Sequence, residues 1–175
     1  MIQNGKSKLV LNNQRINSTV VLFSFLTISH ALRLTWASVY HGFLTGDDVE
    51  ILESAFDQVG LINYEPWTIR SLFLPKVVIA PVLWVAKSIG FHSTRHLIFI
   101  ARVPVIIIGI LSIWLLFHIA HALTKDKITS LVSASLFSFH TIPLAFGSTV
   151  YPRVVSTFFI LCCCYVGLKV INPYI

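Results

Sequence analysis

The chain has 175 residues, of which 55% are hydrophobic and only 11% are charged, and its mean hydropathy is +0.80. An ordinary soluble domain carries about 25% charged residues, so a soluble fold of this length lacks the polar groups to cover its surface. The formal net charge is +6, but the basic residues stand singly beside apolar segments, which excludes a nucleic-acid-binding patch and leaves an integral membrane protein as the predicted class.

The polar N-terminal tail, residues 1–17, carries three basic residues and no acid, and it leads into a first apolar segment from Ser18 to Tyr40. That segment is too long for the hydrophobic region of a signal peptide and lacks a small-residue cleavage site, so we expect it to remain as the first span. His30 and Arg33 interrupt it. Because polar groups are costly in lipid, we expect both side chains to face the interior of a helix bundle.

Further apolar segments approach the length of about 20 residues that is needed to cross a bilayer. They cover residues 72–89, 101–123, 128–146 and 155–171. The chain is thus predicted to be an all-α, polytopic transmembrane helical bundle with about five spans, in which residues 18–175 form one transmembrane module. Three adjacent cysteines, Cys162–Cys164, lack metal-ligand spacing and are interpreted as packing residues.

The basic residues of the short loops predict the orientation, because cytoplasmic loops retain Lys and Arg. With the tail inside, seven basic residues fall on the cytoplasmic side and three to five on the outer side. Lys87 and Arg95 are cytoplasmic in this count, whereas Lys125 and Lys127 are outer, so a shallow hairpin of the third and fourth segments stays open. The tail is predicted to be cytoplasmic and residues 41–71 to form an outer loop.

The predicted outer loop carries most of the negative charge, with six of the seven carboxylates of the chain inside residues 47–65. The residues after Gly46 begin like a helix, with Asp47 in the capping position and Glu50 three residues later. Apolar and acidic residues then recur at three- and four-residue steps, which predicts an amphipathic helix lying along the membrane surface. Its apolar face comprises Val49, Leu52, Phe56 and Val59, and its acidic face comprises Glu50, Glu53 and Asp57.

The acids of this loop allow two interpretations. Glu53 and Asp57 most simply solvate the exposed face of the helix. Asp47 and Asp48 stand at the turn out of the first span, where a lipid-borne substrate presents its headgroup, and a carboxylate there can act as a general base on a hydroxyl. Solvation of the helix is an equally open interpretation for these two.

An aromatic segment connects the acidic helix to the second apolar segment. Tyr64 and Trp67 suit the aromatic belt of a membrane interface, and Pro66 interrupts the helix. Arg70 is either a snorkelling interfacial charge or the partner of a phosphate or a loop carboxylate.

Several short motifs carry a family resemblance. They are Thr45-Gly46-Asp47-Asp48, Leu52-Glu53-Ser54-Ala55, Trp67-Thr68-Ile69-Arg70-Ser71 with Pro75, Ala101-Arg102-Val103-Pro104 and Ser148-Thr149-Val150-Tyr151-Pro152-Arg153. Their order resembles the N-terminal part of GT-C fold glycosyltransferases, in the branch of mannosyltransferases that assemble lipid-linked oligosaccharides and glycolipid anchors. That branch usually has His-Pro where this chain has Thr45-Gly46, and its helix is one residue longer before Leu-Glu. Either Asp47 or Asp48 therefore takes the catalytic position, and we favour Asp47.

The resemblance implies transfer of a sugar, a hexose such as mannose, from a polyprenyl-phosphate-linked donor to an acceptor hydroxyl at the outer membrane face. Asp47 or Asp48 is expected to take the acceptor proton, and Glu50, Trp67 and Arg70 are expected to bind substrate, with Arg70 facing the phosphate. No metal or other cofactor is expected, although the acids are able to hold a divalent ion. The expected partners are membrane lipid, the lipid-linked donor and an acceptor of unknown identity.

Members of that family carry more spans than are predicted here, so we expect this chain to be the N-terminal part of a longer GT-C module: a fragment, one half of a split gene, or an inactive copy. The alternative function is a non-catalytic multi-pass membrane subunit or scaffold whose acidic helix docks a basic partner. A transporter is disfavoured because no inverted repeat is visible. His118 and His121 are interpreted as helix–helix hydrogen-bonding residues rather than metal ligands. The expected location is a bacterial or archaeal cell membrane or the endoplasmic reticulum membrane.

Overall fold

The computed structural model of the chain describes residues 3–39, 46–63 and 73–171. Every regular element within these ranges is helical, in agreement with the predicted all-α class. The helices are α1 (Gln3–Val39), α2 (Gly46–Gln58), α3 (Ala80–Ser88), α4 (Thr94–Thr124), α5 (Lys127–Phe139), α6 (Thr141–Phe146) and α7 (Pro152–Ile171), and a π-helical segment (Leu74–Ile79) runs directly into α3.

Three helical stretches are long and apolar enough to cross a membrane. They are Val20–Val39 within α1, Thr94–Thr124 and Pro152–Ile171. With 13 residues, α5 falls short of the length of about 20 that a span requires. The chain is therefore a helical protein with three candidate membrane-spanning helices, and the prediction of about five spans is not confirmed.

Helices α1 and α4 pack side by side in opposite directions. Near the end of α1, the carbonyl of Ala37 accepts a hydrogen bond from Nη1 of Arg102, which lies early in α4, at 3.1 Å. Farther from that end, Leu22 shares an apolar cluster with Phe117 of α4. The end of α1 and the beginning of α4 thus lie at one end of the bundle, called the loop end here. The opposite end, where α4 stops at Thr124, is called the tail end.

Helices α5 and α6 lead the chain from the tail end back towards the loop end. Asp126 caps α5 by accepting the backbone N–H of Thr129 at 2.8 Å. His140 interrupts the helix with an extended backbone, and α6 follows at once. The carbonyl of Pro143 in α6 accepts a hydrogen bond from Nη1 of Arg33, which lies near the loop end of α1, at 2.6 Å. The broken pair α5–α6 therefore runs antiparallel to α4.

Helix α7 returns along α4 in the same direction as α4. Val154, near its beginning, lies 3.8 Å from the position that a Cβ would take on Gly109. Farther along, the ring of Tyr165 lies 6.3 Å from the ring of His118. Only 6% of the most apolar stretch of α7 is buried within the protein.

The ends of α2 and α3 are held together by Lys87. Its ammonium donates to the carbonyls of Val59 and Gly60 at 2.8 and 3.4 Å. Gly60 adopts a φ of 64°. The N–H groups of Gly60 and Leu61 donate to the carbonyls of Asp57 and Phe56 in the last turns of α2, a helix termination that favours glycine. Since α4 begins a short loop after α3, both α2 and α3 lie at the loop end.

The predicted second span, residues 72–89, is corrected by this arrangement. The π-helical segment and α3 together are shorter than a membrane span, and they connect two antiparallel neighbours, α1 and α4. If this segment crossed the membrane, the end of α1 and the beginning of α4 would lie on opposite sides of it. Instead, Arg102 of α4 donates to the carbonyl of Ala37 near the end of α1. Consequently Lys87 and Arg95 lie at the same end as the acidic helix, and Lys125 and Lys127 lie at the other, the reverse of the predicted distribution.

The acidic helix α2 has the predicted amphipathic pattern, but its apolar face is covered by protein rather than by lipid. That face packs against the π-helical segment and α3. The shared cluster contains Ile51, Leu52, Ala55, Phe56, Val59, Leu74, Ile79 and Leu83. On the predicted acidic face, Glu53 and Asp57 are half-buried, whereas Glu50 is buried. Protein therefore covers the face that was predicted to meet lipid, and the location of α2 along a membrane surface stays a prediction.

Candidate functional site

The first turn of α2, called the acidic turn here, presents the predicted catalytic acids at the loop end. Asp47 is half-buried, Asp48 is 0% exposed and Glu50 is 9% exposed. The unsatisfied N–H groups of a helix N-terminus favour negative charge at this position. Because α2 is packed on α3, the turn is held in place by the core. Of the three acids, Asp47 exposes the largest part of its side chain.

The remaining predicted substrate-binding residues, Trp67 and Arg70, lie outside the described residues. Their assignments stay predictions. Glu50, the third predicted substrate-binding residue, exposes little of its side chain, so a ligand would meet Asp47 before it met Glu50.

A second polar cluster lies in a cleft of about 330 Å³ between α1, α4, the α5–α6 pair and α7, and Tyr151 and Arg153 of the motif Ser148–Arg153 belong to it. Among the described residues that line this cleft, the two charged ones are both arginines, Arg33 from α1 and Arg153 from α7. Hydroxyl groups and apolar side chains complete its walls. The hydroxyl groups belong to Ser112, Tyr151 and Thr157, and the apolar side chains include Phe137, Phe146 and Val154.

Arg33 forms the floor of the cleft and is only 1% exposed. Its Nη1 donates to the carbonyl of Pro143 at 2.6 Å, and its Nε donates to the hydroxyl of Ser29 at 3.3 Å. The expectation that Arg33 faces the bundle interior is confirmed, and His30 is half-buried. Among the described residues, both partners of this guanidinium are neutral oxygens and no carboxylate pairs with it.

Two glycines give Arg33 the space that it occupies. A Cβ on Gly147 would overlap Nη1 of Arg33 and the carbonyl oxygen of Pro143. A Cβ on Gly109 would lie 3.8 Å from the same Nη1, at ordinary contact distance. Gly147 is therefore required for the guanidinium to reach its place, whereas Gly109 only borders it.

Arg153 lies at the rim of the cleft, where its side chain is exposed. Its guanidinium carbon is 5.8 Å from the centroid of the Tyr151 ring, within cation–π distance. The ring of Phe146, which also lines the cleft, lies 4.4 Å from the ring of Tyr151.

The acidic turn and the cleft adjoin one apolar cluster at the loop end. Ile51 and Leu52 of α2 belong to this cluster together with Val150, which precedes α7. Val154 packs against the cluster and also lines the cleft. The acids and the arginines are thus held by the same part of the core.

Two other elements of the family resemblance have structural contacts. Arg102 is 2% exposed and donates to the carbonyl of Ala37, near the C-terminus of α1, where a cation is favourable. Ser148 and Thr149 are buried, and their hydroxyls donate to carbonyls of α6 at 2.7 and 3.1 Å. These residues close helix ends and do not line the cleft.

His118 and His121 make ring contacts instead of the predicted helix–helix hydrogen bonds. The ring of His118 lies 4.4 Å from Trp114, and the ring of His121 stacks on Phe117 at 6.2 Å. Nδ1 of His121 is buried without a hydrogen-bond partner among the described residues. Within the same ranges, no three His, Cys, Asp or Glu side chains gather into a group able to hold a metal ion.

No protein-family model, curated protein or solved structure matches the chain. The functional assignment is therefore argued from the chemistry of the acidic turn and the cleft.

Proposed function

We propose that the chain is the N-terminal portion of a membrane glycosyltransferase, which transfers a hexose such as mannose from a polyprenyl-phosphate-linked donor to an acceptor hydroxyl at the outer membrane face. The observation that carries the proposal is the placement of Asp47, a half-buried carboxylate on a helix turn that packing holds at the loop end. A base that acts beside a lipid carrier needs a carboxylate fixed at the membrane surface. The motif resemblance to GT-C glycosyltransferases supports the same function.

In this proposal Asp47 is the general base. Its carboxylate accepts the proton of the acceptor hydroxyl while the hydroxyl oxygen bonds to the anomeric carbon of the donor sugar. The bond between that carbon and the phosphate oxygen breaks, and the polyprenyl phosphate leaves with the electron pair. Basic groups near the phosphate, with Arg70 as the candidate from the motif, stabilise the charge that develops. Asp48 is too buried to meet an acceptor, so we assign it to the support of the turn.

The proposal includes a membrane topology. We place α1, α4 and α7 across the bilayer, together with the broken pair α5–α6, and we place α2 and α3 at the outer surface. Six Lys and Arg then lie at the cytosolic tail end, and five described ones, Lys76, Lys87, Arg95, Arg102 and Arg153, lie at the loop end, a small excess in the cytosolic direction. The host is a bacterial or archaeal cell membrane or the endoplasmic reticulum membrane.

A non-catalytic multi-pass subunit is the second candidate. The burial of Asp48 and Glu50 favours it, since buried acids support a fold more readily than they meet a substrate. In that case Glu53 and Asp57, which are half-buried on α2, would contact a basic partner at the outer surface.

An activity assay separates the two candidates. Asp47→Asn and Asp48→Asn are made singly in the longest natural reading frame, with Glu53→Gln as the control on the same helix. Membranes then receive a radiolabelled polyprenyl-phosphate hexose. We expect Asp47→Asn to lower transfer at least about a hundredfold, within the range for a lost general base, while Glu53→Gln retains it. Unchanged transfer in Asp47→Asn would remove the base assignment, and loss of transfer in Asp48→Asn alone would move it to Asp48.

A labelling experiment tests the topology independently. Cys162–Cys164 are replaced by serine, and single cysteines are placed at Gln58, Arg95 and Lys125, all of which are exposed. A membrane-impermeant maleimide should label Gln58→Cys and Arg95→Cys from outside and Lys125→Cys only after permeabilisation. Labelling of Gln58→Cys from the cytosolic side alone would contradict the placement of the acidic turn.

A further inference from the structure

The cleft that contains Arg33 and Arg153 has the composition of an anion site. Among the described residues that line it, both charged residues are cationic and none carries a carboxylate. We propose that this cleft binds the phosphate headgroup of a lipid, with Arg33 at its floor and Arg153 at its rim. The inference rests on the proposed function, in which polyprenyl phosphate is the lipid that carries the donor sugar.

The buried charge of Arg33 is the first argument. A guanidinium removed from water loses its hydration, and neutral hydrogen-bond acceptors restore only part of that loss. Arg33 is 1% exposed, and its partners among the described residues are a carbonyl and a hydroxyl. Its carbonyl partner, Pro143, belongs to α6, whose end contributes at most about half a negative charge. An anion in the adjoining cleft would balance the remaining positive charge of Arg33.

The other donors of the cleft are the second argument. Arg153 is exposed at the rim and carries a fork of N–H groups that matches phosphate oxygens. Tyr151 and Thr157 add hydroxyls that donate to oxygens of the same kind. The hydroxyl hydrogen of Ser112 is already directed to the carbonyl of Ile108 at 2.9 Å. A phosphate in this cleft would therefore meet donors from α1 and from the beginning of α7.

The position of the cleft favours a lipid phosphate over free phosphate. Arg33 lies within the membrane-spanning stretch Val20–Val39, about 9 Å along the helix from its end at the loop end. Phe137, Phe146 and Val154 supply apolar walls, which suit the first carbons of a hydrocarbon chain. The cleft volume of about 330 Å³ also exceeds what a phosphate group alone would fill and lies in the range of small-ligand pockets.

A binding experiment without sugar transfer tests the proposal. The chain is purified in maltoside micelles, which contain no phosphate, and tritiated farnesyl phosphate is titrated by scintillation proximity. Farnesol and inorganic phosphate serve as competitors. The variants are Arg33→Gln and Arg153→Gln, with Arg95→Gln as the control, because Arg95 is an exposed arginine at the same end that does not line the cleft.

We expect farnesyl phosphate to bind about tenfold more weakly to Arg153→Gln and about a hundredfold more weakly to Arg33→Gln, with Arg95→Gln unchanged. Arg153 is exposed, so its variant decides the question even if Arg33→Gln does not fold. Equal affinity of Arg153→Gln and Arg95→Gln would overturn the proposal. Competition by farnesol as strong as by unlabelled farnesyl phosphate would overturn the headgroup assignment, and equally strong competition by inorganic phosphate would overturn the lipid assignment.

This result is independent of the test on Asp47. Loss of binding in Arg153→Gln with transfer unaffected by Asp47→Asn would support the cleft and refute the proposed catalytic base. The reverse combination would support the base and refute the cleft.

Discussion

Gly109 and Gly147 border the same guanidinium group, and a methyl group has room at only one of them. A Cβ on Gly147 overlaps Nη1 of Arg33 and the carbonyl of Pro143, whereas a Cβ on Gly109 meets its nearest atoms at 3.8 Å. Neither glycine has a positive φ, so alanine fits the backbone at both positions. The substitutions Gly147→Ala and Gly109→Ala therefore test side-chain space alone.

The two substitutions should have opposite effects on stability. Gly147→Ala displaces Arg33 from the 2.6 Å hydrogen bond to Pro143, which as a charged hydrogen bond is worth about 1.5–3 kcal/mol. Overpacking adds about 1–3 kcal/mol, so the free energy of unfolding should fall by roughly 3–5 kcal/mol. Gly109→Ala lies inside α4, where alanine is favoured over glycine by about 0.5–1 kcal/mol, and the free energy of unfolding should rise by about that amount.

The measurement is reversible unfolding of the purified chain in mixed micelles, with increasing SDS fraction and helical circular dichroism as the readout. Gly167→Ala, at a mid-helix glycine of α7 with no atom within 4 Å of the added Cβ, controls for helix propensity. Equal stability of Gly147→Ala and the wild type would show that Arg33 does not occupy the place described. A loss in Gly109→Ala as large as that in Gly147→Ala would refute the assignment of the effect to Gly147.

Two further predictions concern the helix ends. In the same SDS titration, Lys87→Met should lower the free energy of unfolding by about 0.5–2 kcal/mol, because the carbonyl of Val59 loses its charged donor at 2.8 Å. The control is Lys76→Met, at an exposed position of the π-helical segment, which should have little effect. The side-chain hydrogen bond from Thr129, followed by its backbone N–H, holds the pKa of Asp126 below the ordinary value of 3.8. The stabilisation by this cap is therefore complete above pH 3.8 and is lost as the pH falls through the lowered pKa of Asp126. Amide exchange in the first turn of α5 should accelerate when the pH falls below that pKa. In Asp126→Ala, exchange should follow only the intrinsic pH dependence of amide exchange.

Hydropathy predicts the candidate spans of α1, α4 and α7 well because each of these helices contains an apolar stretch of sufficient length, whereas the helical continuation of α1 through the polar tail is not apparent from hydropathy. It fails at residues 72–89, where an apolar run is covered by another helix of the same protein. The run packs on α2, and lipid and protein interior select the same side chains there. Hydropathy alone cannot separate these environments, whereas the contact of Lys87 with Val59 does.

The amphipathic pattern of α2 predicts which residues are buried but not what buries them. Leu52 and Phe56 are in the core as expected, yet the burial of Asp48 and Glu50 does not follow from the helical period. Spacing along one helix describes its own faces, and the number of neighbours around it is a property of the whole fold.

The cleft was even less accessible to sequence analysis, because its residues come from helices far apart in the chain. The cost of an arginine in lipid predicts that Arg33 is an interior residue, and the motif Ser148–Arg153 contains Tyr151 and Arg153, but no sequence pattern connects these residues or Gly147 to Arg33. The one local indication is the interruption at His140, which leaves α6 as a short helix with its own carbonyl end. Polar residues that follow such an interruption are candidates for contact with an intramembrane charge.

That interruption places a helix end beside Arg33, near the loop end of α1. The carbonyl of Pro143 accepts the backbone N–H of Gly147 at 3.0 Å and also Nη1 of Arg33 at 2.6 Å. The hydroxyls of Ser148 and Thr149 donate to the last carbonyls of α6, those of Leu144 and Phe146. The partial negative charge of this helix end lowers the cost of burying the guanidinium without neutralising it. The positive potential that remains faces the cleft, which is the condition under which a buried arginine can bind a phosphate.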